Sequence, residues 1–501
     1  MGSDPIYWEA QTLGQVLERQ ARERGNAEAL ITPKRRVTYE DLYLRARSAA
    51  ATLHSLGLKR GDRIGILMGN DDKWLALFYG AALIGAVTVP VNTRFKAAEI
   101  AFCLQQAGCE ALFYVPRFLN IDFGAMVKET GFAKAFDITR PLPEWSIGDT
   151  REISPSDTLL IQFTSGTTAY PKGAMLTHDN MLRDAWAAGT RLGILPEDRY
   201  FNCRPFFHVA GSTLSALMAL VAGATLVTLP TFEAGAALEM LERERCTLIS
   251  GNDTIFQMLM GHEDFAKRKL SLRGGWAAAG PQTMRRIIDV LGAKSICAAY
   301  GLSEASPNVV MSDWRDAEEL RVNGLALPHD GVELRIVEGE IQVRGWNVMQ
   351  GYCNNPEANA KAFTEDGWLR TGDLGELTAD GRLRMVGRLK DVFRVGGENV
   401  APAEVEEVLL AHPAVETAQV VGVPDQRLGE VPAAYVTLKA GQQAKESELI
   451  EWCKARSANF RVPRYLRIVD DFETIGMTAS GKVQKTKLRE HALREFGLRQ
   501  V

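Results

Sequence analysis

The chain has 501 residues, 46% of them hydrophobic and 24% charged, with a net charge of -4. That length exceeds one compact core, so about two to four domains are expected. The mild negative charge excludes a global attraction for nucleic acid. Seven cysteines without paired spacing exclude a disulfide framework or zinc site, and seven scattered histidines argue against a histidine metal site. Reduced thiols, and so a cytoplasmic setting, are the expectation.

Met1 to Gln11 is short, mixed and acidic, unlike a targeting signal. Thr38-Tyr39-Glu40-Asp41 reads as a capped start for a helix running through Leu42 to Leu56, which Gly57 and Gly61 end. Arg63 to Met68 is a buried strand, Lys73 to Ile84 a helix and Ala86 to Val91 the next strand, which together make a βαβ unit. The alternation recurs in helix 179–192, strand Ala224 to Leu229, helix Ala234 to Arg243, strand Leu248 to Ser250, helix Thr283 to Leu291 and strand Ser295 to Tyr300. A parallel-sheet α/β body follows. The apolar run Leu214 to Leu229 is interrupted by Gly223 and is too short for a membrane span.

After about residue 325 the pattern changes to short strands with Gly and Asp-Gly turns: Glu333 to Val337, Glu340 to Arg344 and Arg382 to Val386. These predict a small β-barrel-like part. Beyond residue 390 comes a compact α+β pattern: helix Pro402 to Leu410, strands Val415 to Val423 and Ala433 to Leu438, and helix 446–456. The expected division is 1–389 and 390–501. The basic cluster Lys482, Lys485, Lys487 and Arg489 has two readings, an anion-binding patch or a solvated helix start.

The most informative segment is Thr164-Ser165-Gly166-Thr167-Thr168-Ala169-Tyr170-Pro171-Lys172-Gly173, directly after the apolar run Leu159 to Phe163. Hydroxyls, glycines and one lysine on a loop suit a polyphosphate. No Gly-Lys-Ser/Thr closes it onto a helix, so it is not the common phosphate loop. Five more polar segments accompany it: Pro205 to Gly211 around His208, Tyr300 to Pro307 with Ser303 and Glu304, Thr371-Gly372-Asp373, Gly387 to Asp391, and Ser480 to Lys485. Each alone has a plainer reading. His208 fits a hydrogen-bonded core histidine, Glu304 a helix N-terminal carboxylate, Asp373 a turn residue, and Arg388 and Lys482 solvated charges.

Together and in this order they resemble the adenylate-forming superfamily of acyl-CoA synthetases, peptide-synthetase adenylation domains and luciferases, over nearly the whole chain. The resemblance implies a large N-terminal α/β region and a small mobile α+β C-terminal domain. It implies activation of a carboxylate with ATP and Mg²⁺, followed by acyl transfer to a thiol. It assigns the ATP phosphates to Thr164, Ser165, Gly166, Thr167, Thr168 and Lys172, and Mg²⁺ to Glu304. Adenine goes to Tyr300 on one side and Ala279, Gly280 and Pro281 on the other, with Gly301 and Ser303 also among the cofactor-binding residues. Asp373 and Arg388 serve the ribose, Lys482 the catalytic cation, and Lys390 the hinge. Carboxylate attack on a phosphate brings anion to anion, so positioned cations are what the chemistry needs.

The chain departs from the family pattern at Ala169, Ser303, Met477 and Gly251-Asn252-Asp253-Thr254. Asn252 and Asp253 place polar groups near the acyl pocket, or cap a helix over Ile255 to Met260. Amino-acid-activating relatives carry an Asp near His208, and its absence here argues against an α-amino acid. Gly396-Gly397-Glu398-Asn399-Val400 resembles the CoA-channel segment of free-standing ligases. The expected reaction is AMP-forming acid:CoA ligation, with loading of a separate carrier protein as the competitor. An oxidative luciferase-like enzyme and an inactive nucleotide-binding regulator are remoter rivals. By resemblance the pocket comprises Phe207, His208, Val209, Ser250, Asn252, Ala278, Ala299 and Gly301. A medium-chain or aromatic acid, with or without a polar substituent, fits it. The partners are then the acid, ATP and CoA, and the resemblance allows a homodimer.

Overall fold

The computed structural model describes residues 8–139, 153–164, 171–472, 474–477 and 483–498. The chain divides into two compact units, 1–334 with 343–369, and 335–342 with 370–501. Lys390 therefore falls within the second unit.

The first unit is built on two sheets. One has eight strands. Six of them run parallel in the order Glu28–Ile31, Thr225–Thr228, Arg199–Asn202, Leu248–Asn252, Gly274–Ala278 and Ser295–Gly301. Arg36–Thr38 and Asn308–Met311 close its edges in antiparallel sense. The other sheet has seven strands. Ala135–Asp137, Cys109–Tyr114, Arg63–Leu67, Val87–Pro90 and Thr158–Thr164 are parallel, and Lys172–Thr177 then Gly351–Tyr352 extend it antiparallel.

Local sequence explains the helices between these strands. Thr38 accepts from the Asp41 amide at 3.1 Å and starts Tyr39–Ser55. Thr177 and Asn180 form a reciprocal cap for His178–Leu192, which Gly193 ends in the left-handed region at φ 59°. Pro281 begins Pro281–Arg286 at its first turn, so this helix starts earlier than Thr283 and passes into a π-helical turn, Ile287–Leu291.

One core holds residues of both sheets, among them Ile64, Ile66, Leu160, Tyr200, Leu226 and Trp276, with Trp74, Phe78, Leu182 and Met218 from helices. Burying each such side chain contributes about 1.5–3 kcal/mol. The opposite face of the eight-stranded sheet, with Phe201, Ile249, Ala277 and Ala298, packs on Leu238, Leu241, Leu259 and Met284. Alternation along each parallel strand therefore sorts residues between a shared interior and an outer helical layer.

The second unit takes in most of a four-stranded sheet ordered Val332–Val337, Glu340–Gly345, Leu369–Leu377, Leu383–Arg388. The sheet is open, and no closed barrel forms among the described residues. Its other sheet pairs Val415–Asp425 antiparallel with Gly429–Leu438, and Tyr465–Ile468 runs parallel to the latter. Val405, Leu409, Leu449 and Leu488 from three helices pack with Val420, Tyr435 and Leu466. Of the basic cluster, Lys485, Lys487 and Arg489 lie at the start of the helix Lys485–Glu495, and Lys482 lies outside the described residues. There Lys485 pairs with Glu406, and Arg489 with Glu430 at 2.9 Å.

Candidate active site

Thr158–Thr164 and Lys172–Thr177 form an antiparallel pair whose register sets Thr164 opposite Lys172. The two ends of the predicted phosphate loop are thereby side by side. Ser165, Gly166, Thr167 and Thr168 lie outside the described residues, as does Lys482. Thr164 Oγ1 is 3.4 Å from Glu304 Oε1. Tyr352, buried at 8% exposure, donates its hydroxyl to the same carboxylate oxygen at 2.8 Å. Lys172 Nζ lies 5.2 Å from the centre of the Tyr352 ring, within cation–π range. Burial first, and the Glu304 charge second, raise the Tyr352 pKa, so the phenol stays a neutral donor. The sequence reading brought Thr164, Lys172 and Glu304 together but missed Tyr352. That residue sits on a two-residue strand with no periodic signal, and Gly351 before it at φ 136° is the only local cue.

Glu304 follows the strand Ser295–Gly301, on the turn Ser303–Ala305. Gly301 is forced by space: a Cβ there would sit 1.9 Å from the Pro307 carbonyl oxygen. Met349 N donates to Glu304 O at 2.9 Å. A buried polar network backs the turn. Ser306 Oγ donates to Asn347 O at 2.7 Å, and Asn347 Nδ2 to Asn308 O at 3.0 Å. Asn308 N donates to Asp184 Oδ2 at 3.1 Å, and Asn308 Oδ1 meets His329 Nε2 at 2.7 Å. Burial lowers the His329 pKa to about 3, so its ring is neutral. Asp184, His329 and Asn347 were also invisible in sequence, being single polar residues in apolar surroundings.

Five of the residues predicted to line the acyl site share one face of the eight-stranded sheet. Ser250 pairs with Trp276, Asn252 with Ala278, and Ala277 with Ala298. Ser250, Asn252, Ala278, Ala299 and Gly301 therefore point the same way. Ala278 and Gly301 are exposed, and Ser250 and Asn252 are buried. Tyr300 pairs with Val310 near the end of Ser295–Gly301, Ala279 lies just past the last residue of Gly274–Ala278, and Gly280 N donates to Asp253 Oδ1 at 3.3 Å. Phe207, His208 and Val209 come from the loop after Arg199–Asn202. Gln162 Nε2 donates to Phe207 O at 3.1 Å, and His208 Nδ1 accepts from Ala210 N at 3.1 Å. Asn252 Oδ1 accepts from Ile255 N at 3.1 Å and caps Asp253–Gly261, which is the capping role the sequence also allowed.

In the second unit Asp373 stands opposite Arg388, with Arg388 Nε 3.2 Å from Asp373 Oδ1. Asp373 is buried, whereas the Arg388 side chain is half-exposed. Gly372 N donates to Glu340 Oε1 at 3.0 Å and Thr371 Oγ1 to Ile341 O at 2.7 Å, which fixes the approach to Asp373. Lys390 is exposed on the turn Leu389–Asp391. Gly396 and Gly397, at φ 61° and 99°, make the turn between Phe393–Val395 and Glu398–Val400.

Among the described residues no cluster of three or more His, Cys, Asp or Glu side chains is arranged for a metal, and no helix is long and apolar enough to cross a membrane. All seven cysteines are free.

Residues 17–353 match the AMP-binding enzyme family and residues 404–482 the AMP-binding enzyme C-terminal domain. The putative acyl-CoA synthetase YngI of Bacillus subtilis is 35% identical over 97% of this chain and 98% of that protein. The medium-chain acyl-CoA ligase ACSF2 of Homo sapiens is 32% identical over 99% of this chain and 90% of that protein. Among solved structures, the anthranilate CoA ligase AuaEII in complex with anthranoyl-AMP superposes with a TM-score of 0.89, at 25% identity and 99% coverage of both chains. The o-succinylbenzoate CoA synthetase MenE of Bacillus subtilis, in complex with AMP, gives a TM-score of 0.81 at 28% identity, covering 96% of this chain and 98% of that one. The chain thus belongs to the AMP-binding enzyme family, among its acyl-CoA synthetases.

Proposed function

We propose that the protein joins a medium-chain or aromatic carboxylic acid to CoA through an acyl-adenylate, with release of AMP and pyrophosphate. The observation that carries this reading is the cluster of Thr164, Lys172, Tyr352 and Glu304 at the mouth of the phosphate loop. It offers a hydroxyl, a cation and a held carboxylate within one small region. A single carboxylate with a hydroxyl beside it fits Mg²⁺, which is held largely by substrate phosphates and keeps few protein ligands. When bound there, Mg²⁺ supplies positive charge to the phosphate oxygens. Thr164 and Lys172 then orient the phosphates, Tyr300 and the Ala279–Pro281 segment hold the adenine, and Asp373 with Arg388 receives the ribose hydroxyls. Lys482 serves adenylation, Gly396 and Gly397 line the CoA approach, and Lys390 is the pivot between the 1–389 and 390–501 parts.

The acid class draws support from two sides. The curated relative ACSF2 is named a medium-chain ligase, and the structural neighbours AuaEII and MenE act on aromatic acids by name. The free cysteines support a reducing compartment, the cytoplasm. The test is AMP release over a panel of acids, with and without CoA. CoA-dependent turnover of medium-chain or aromatic acids is expected. Adenylate formation that CoA leaves unchanged and an acyl carrier protein accelerates would favour carrier loading instead.

A further inference from the structure

Arg204 lies two residues past the strand Arg199–Asn202, on the loop that leads to His208, and only 8% of it is exposed. Its backbone is clamped. Arg204 O accepts from Asn70 Nδ2 at 2.9 Å and from Asn202 Nδ2 at 2.7 Å, and Arg204 N donates to Asn202 Oδ1 at 2.9 Å. The guanidinium is not balanced in the same way. Its Nε has no hydrogen-bond partner, and no Asp or Glu pairs with it among the described residues. Its neighbours include the Trp276 ring, 5.9 Å from Arg204 Cζ, and the Cys203 and Tyr200 side chains.

A guanidinium stays charged in any folded protein, and burying it without an anion is costly. A ring face at that distance offsets little of the cost. Burial indeed pulls the Arg204 pKa down, and no carboxylate opposes that shift. In the same layer, Ser250 and Trp276 direct their polar groups at the buried Tyr200 hydroxyl. Ser250 and Trp276 are register partners on the sheet face that carries Asn252 and Ala278. They lie one face position deeper than that pair, roughly 7 Å along the strand. Arg204 follows the first of three adjacent strands and Trp276 lies on the third, with Leu248–Asn252 between those strands. The guanidinium therefore lies beside Trp276, whose register partner Ser250 shares the face that carries Asn252 and Ala278.

We infer that Arg204 is the far-end anchor of the acid and that the substrate is a dicarboxylic acid. One carboxylate reaches the adenylating end near Gly301, and the second meets Arg204. This rests on the ligase reading of the same site. The planar fork of arginine matches a carboxylate in two parallel hydrogen bonds, which a neutral polar substituent does not reproduce. A monocarboxylic acid of equal length would leave the guanidinium buried and unpaired, and a site built around a polar partner rejects an analogue that lacks it.

The test uses the full-length enzyme in an AMP-release assay with CoA. Linear and benzene dicarboxylic acids are compared with their half-methyl esters and with monocarboxylic acids of matching length. For the best diacid, kcat/KM is expected to exceed that of its half-ester by about 100-fold or more. In Arg204→Met that ratio should fall to within about tenfold, and Arg204→Lys should retain an intermediate preference. A wild-type enzyme that prefers monoacids or half-esters overturns the proposal, and so does an Arg204→Met variant that keeps the diacid preference. If Arg204→Met does not fold, the wild-type comparison and Arg204→Lys decide. Turnover of monoacids alone removes this inference and leaves the ligase reading standing. AMP release with no acid of either series overturns both.

Discussion

The Tyr352 hydroxyl donates to Glu304 Oε1 at 2.8 Å, across 48 positions of sequence. The bond joins the seven-stranded sheet, through Gly351–Tyr352, to the turn after the last parallel strand of the other sheet. It occupies one lone pair of one carboxylate oxygen, so the other oxygen keeps its full acceptor capacity. Glu304 is thus oriented before any ligand arrives, with Thr164 on the same oxygen at 3.4 Å.

Glu304→Gln keeps the shape and removes the charge. Acid-dependent pyrophosphate release should fall by roughly 100-fold, as for loss of one charge-stabilising group. Tyr352→Phe removes only the orienting donor. It should raise the Mg²⁺ concentration needed for half-maximal rate several-fold, at a stability cost of about 1 kcal/mol. Mg²⁺ titrations of both variants, with thermal unfolding of each, check this. An unchanged Mg²⁺ dependence in Tyr352→Phe would falsify the orienting role.

What could be read from sequence follows from what is local. Helix Ala234–Arg243, helix Pro402–Leu410 and the strand Ser295–Gly301 were legible because periodicity, Pro at a first turn and flanking Gly all act within a few residues. Thr164, Lys172 and Glu304 were legible because hydroxyls and glycines directly after apolar strands mark ligand-binding ends. Tyr352 was not, since its role depends on a two-residue strand pairing with Lys172–Thr177. Arg204 was passed over for a related reason. Its meaning lies in having no acidic partner among the described residues, which only the folded arrangement reveals.

Asn252 is placed to do two jobs, and substitution can separate them. Asn252→Ala removes the cap on Asp253–Gly261 and should cost about 1 kcal/mol in thermal or urea unfolding. Asn252→Ser keeps a capping oxygen and should cost little. If the side chain also lines the acyl site, both variants should move the ranking of acids toward apolar ones. A ranking unchanged in both, with stability lost only in Asn252→Ala, would assign the residue to capping alone.

Stability should fall on mild acidification. His178 is 1% exposed, and its Nδ1 accepts from Leu13 N at 3.0 Å, a bond that requires an unprotonated nitrogen. Burial lowers its pKa from 6.5 to about 4, with the charge of Asp157 opposing the shift. The folded value lies below the unfolded one, so this contribution is full above about pH 6.5 and is lost as pH falls toward 4. The shift corresponds to an effect on the order of 3 kcal/mol. His329 adds in the same direction. Thermal unfolding at pH 7.5, 6 and 5 should show a falling midpoint, with a shallower slope in His178→Gln, whose amide oxygen can accept from Leu13 N. Equal slopes in the two proteins would exclude His178 as a source.

The last prediction concerns the order of the two half-reactions. Lys482 is proposed to serve adenylation only, and Lys390, on the exposed turn Leu389–Asp391, is proposed as the pivot. Lys482→Ala should abolish acid-dependent pyrophosphate release yet spare thioester formation from a supplied acyl-adenylate. Lys390→Pro should do the reverse. Proline holds φ near about -65°, so a rotation through this residue would be blocked while the adenylating arrangement persists. Two half-reactions that break separately are what one domain motion completing two sites in turn requires. Pyrophosphate exchange and single-turnover thioester formation, measured on both variants beside the wild type, give the four rates needed. If both variants lose both half-reactions to the same extent, the pivot does not lie at Lys390 or the parts do not alternate.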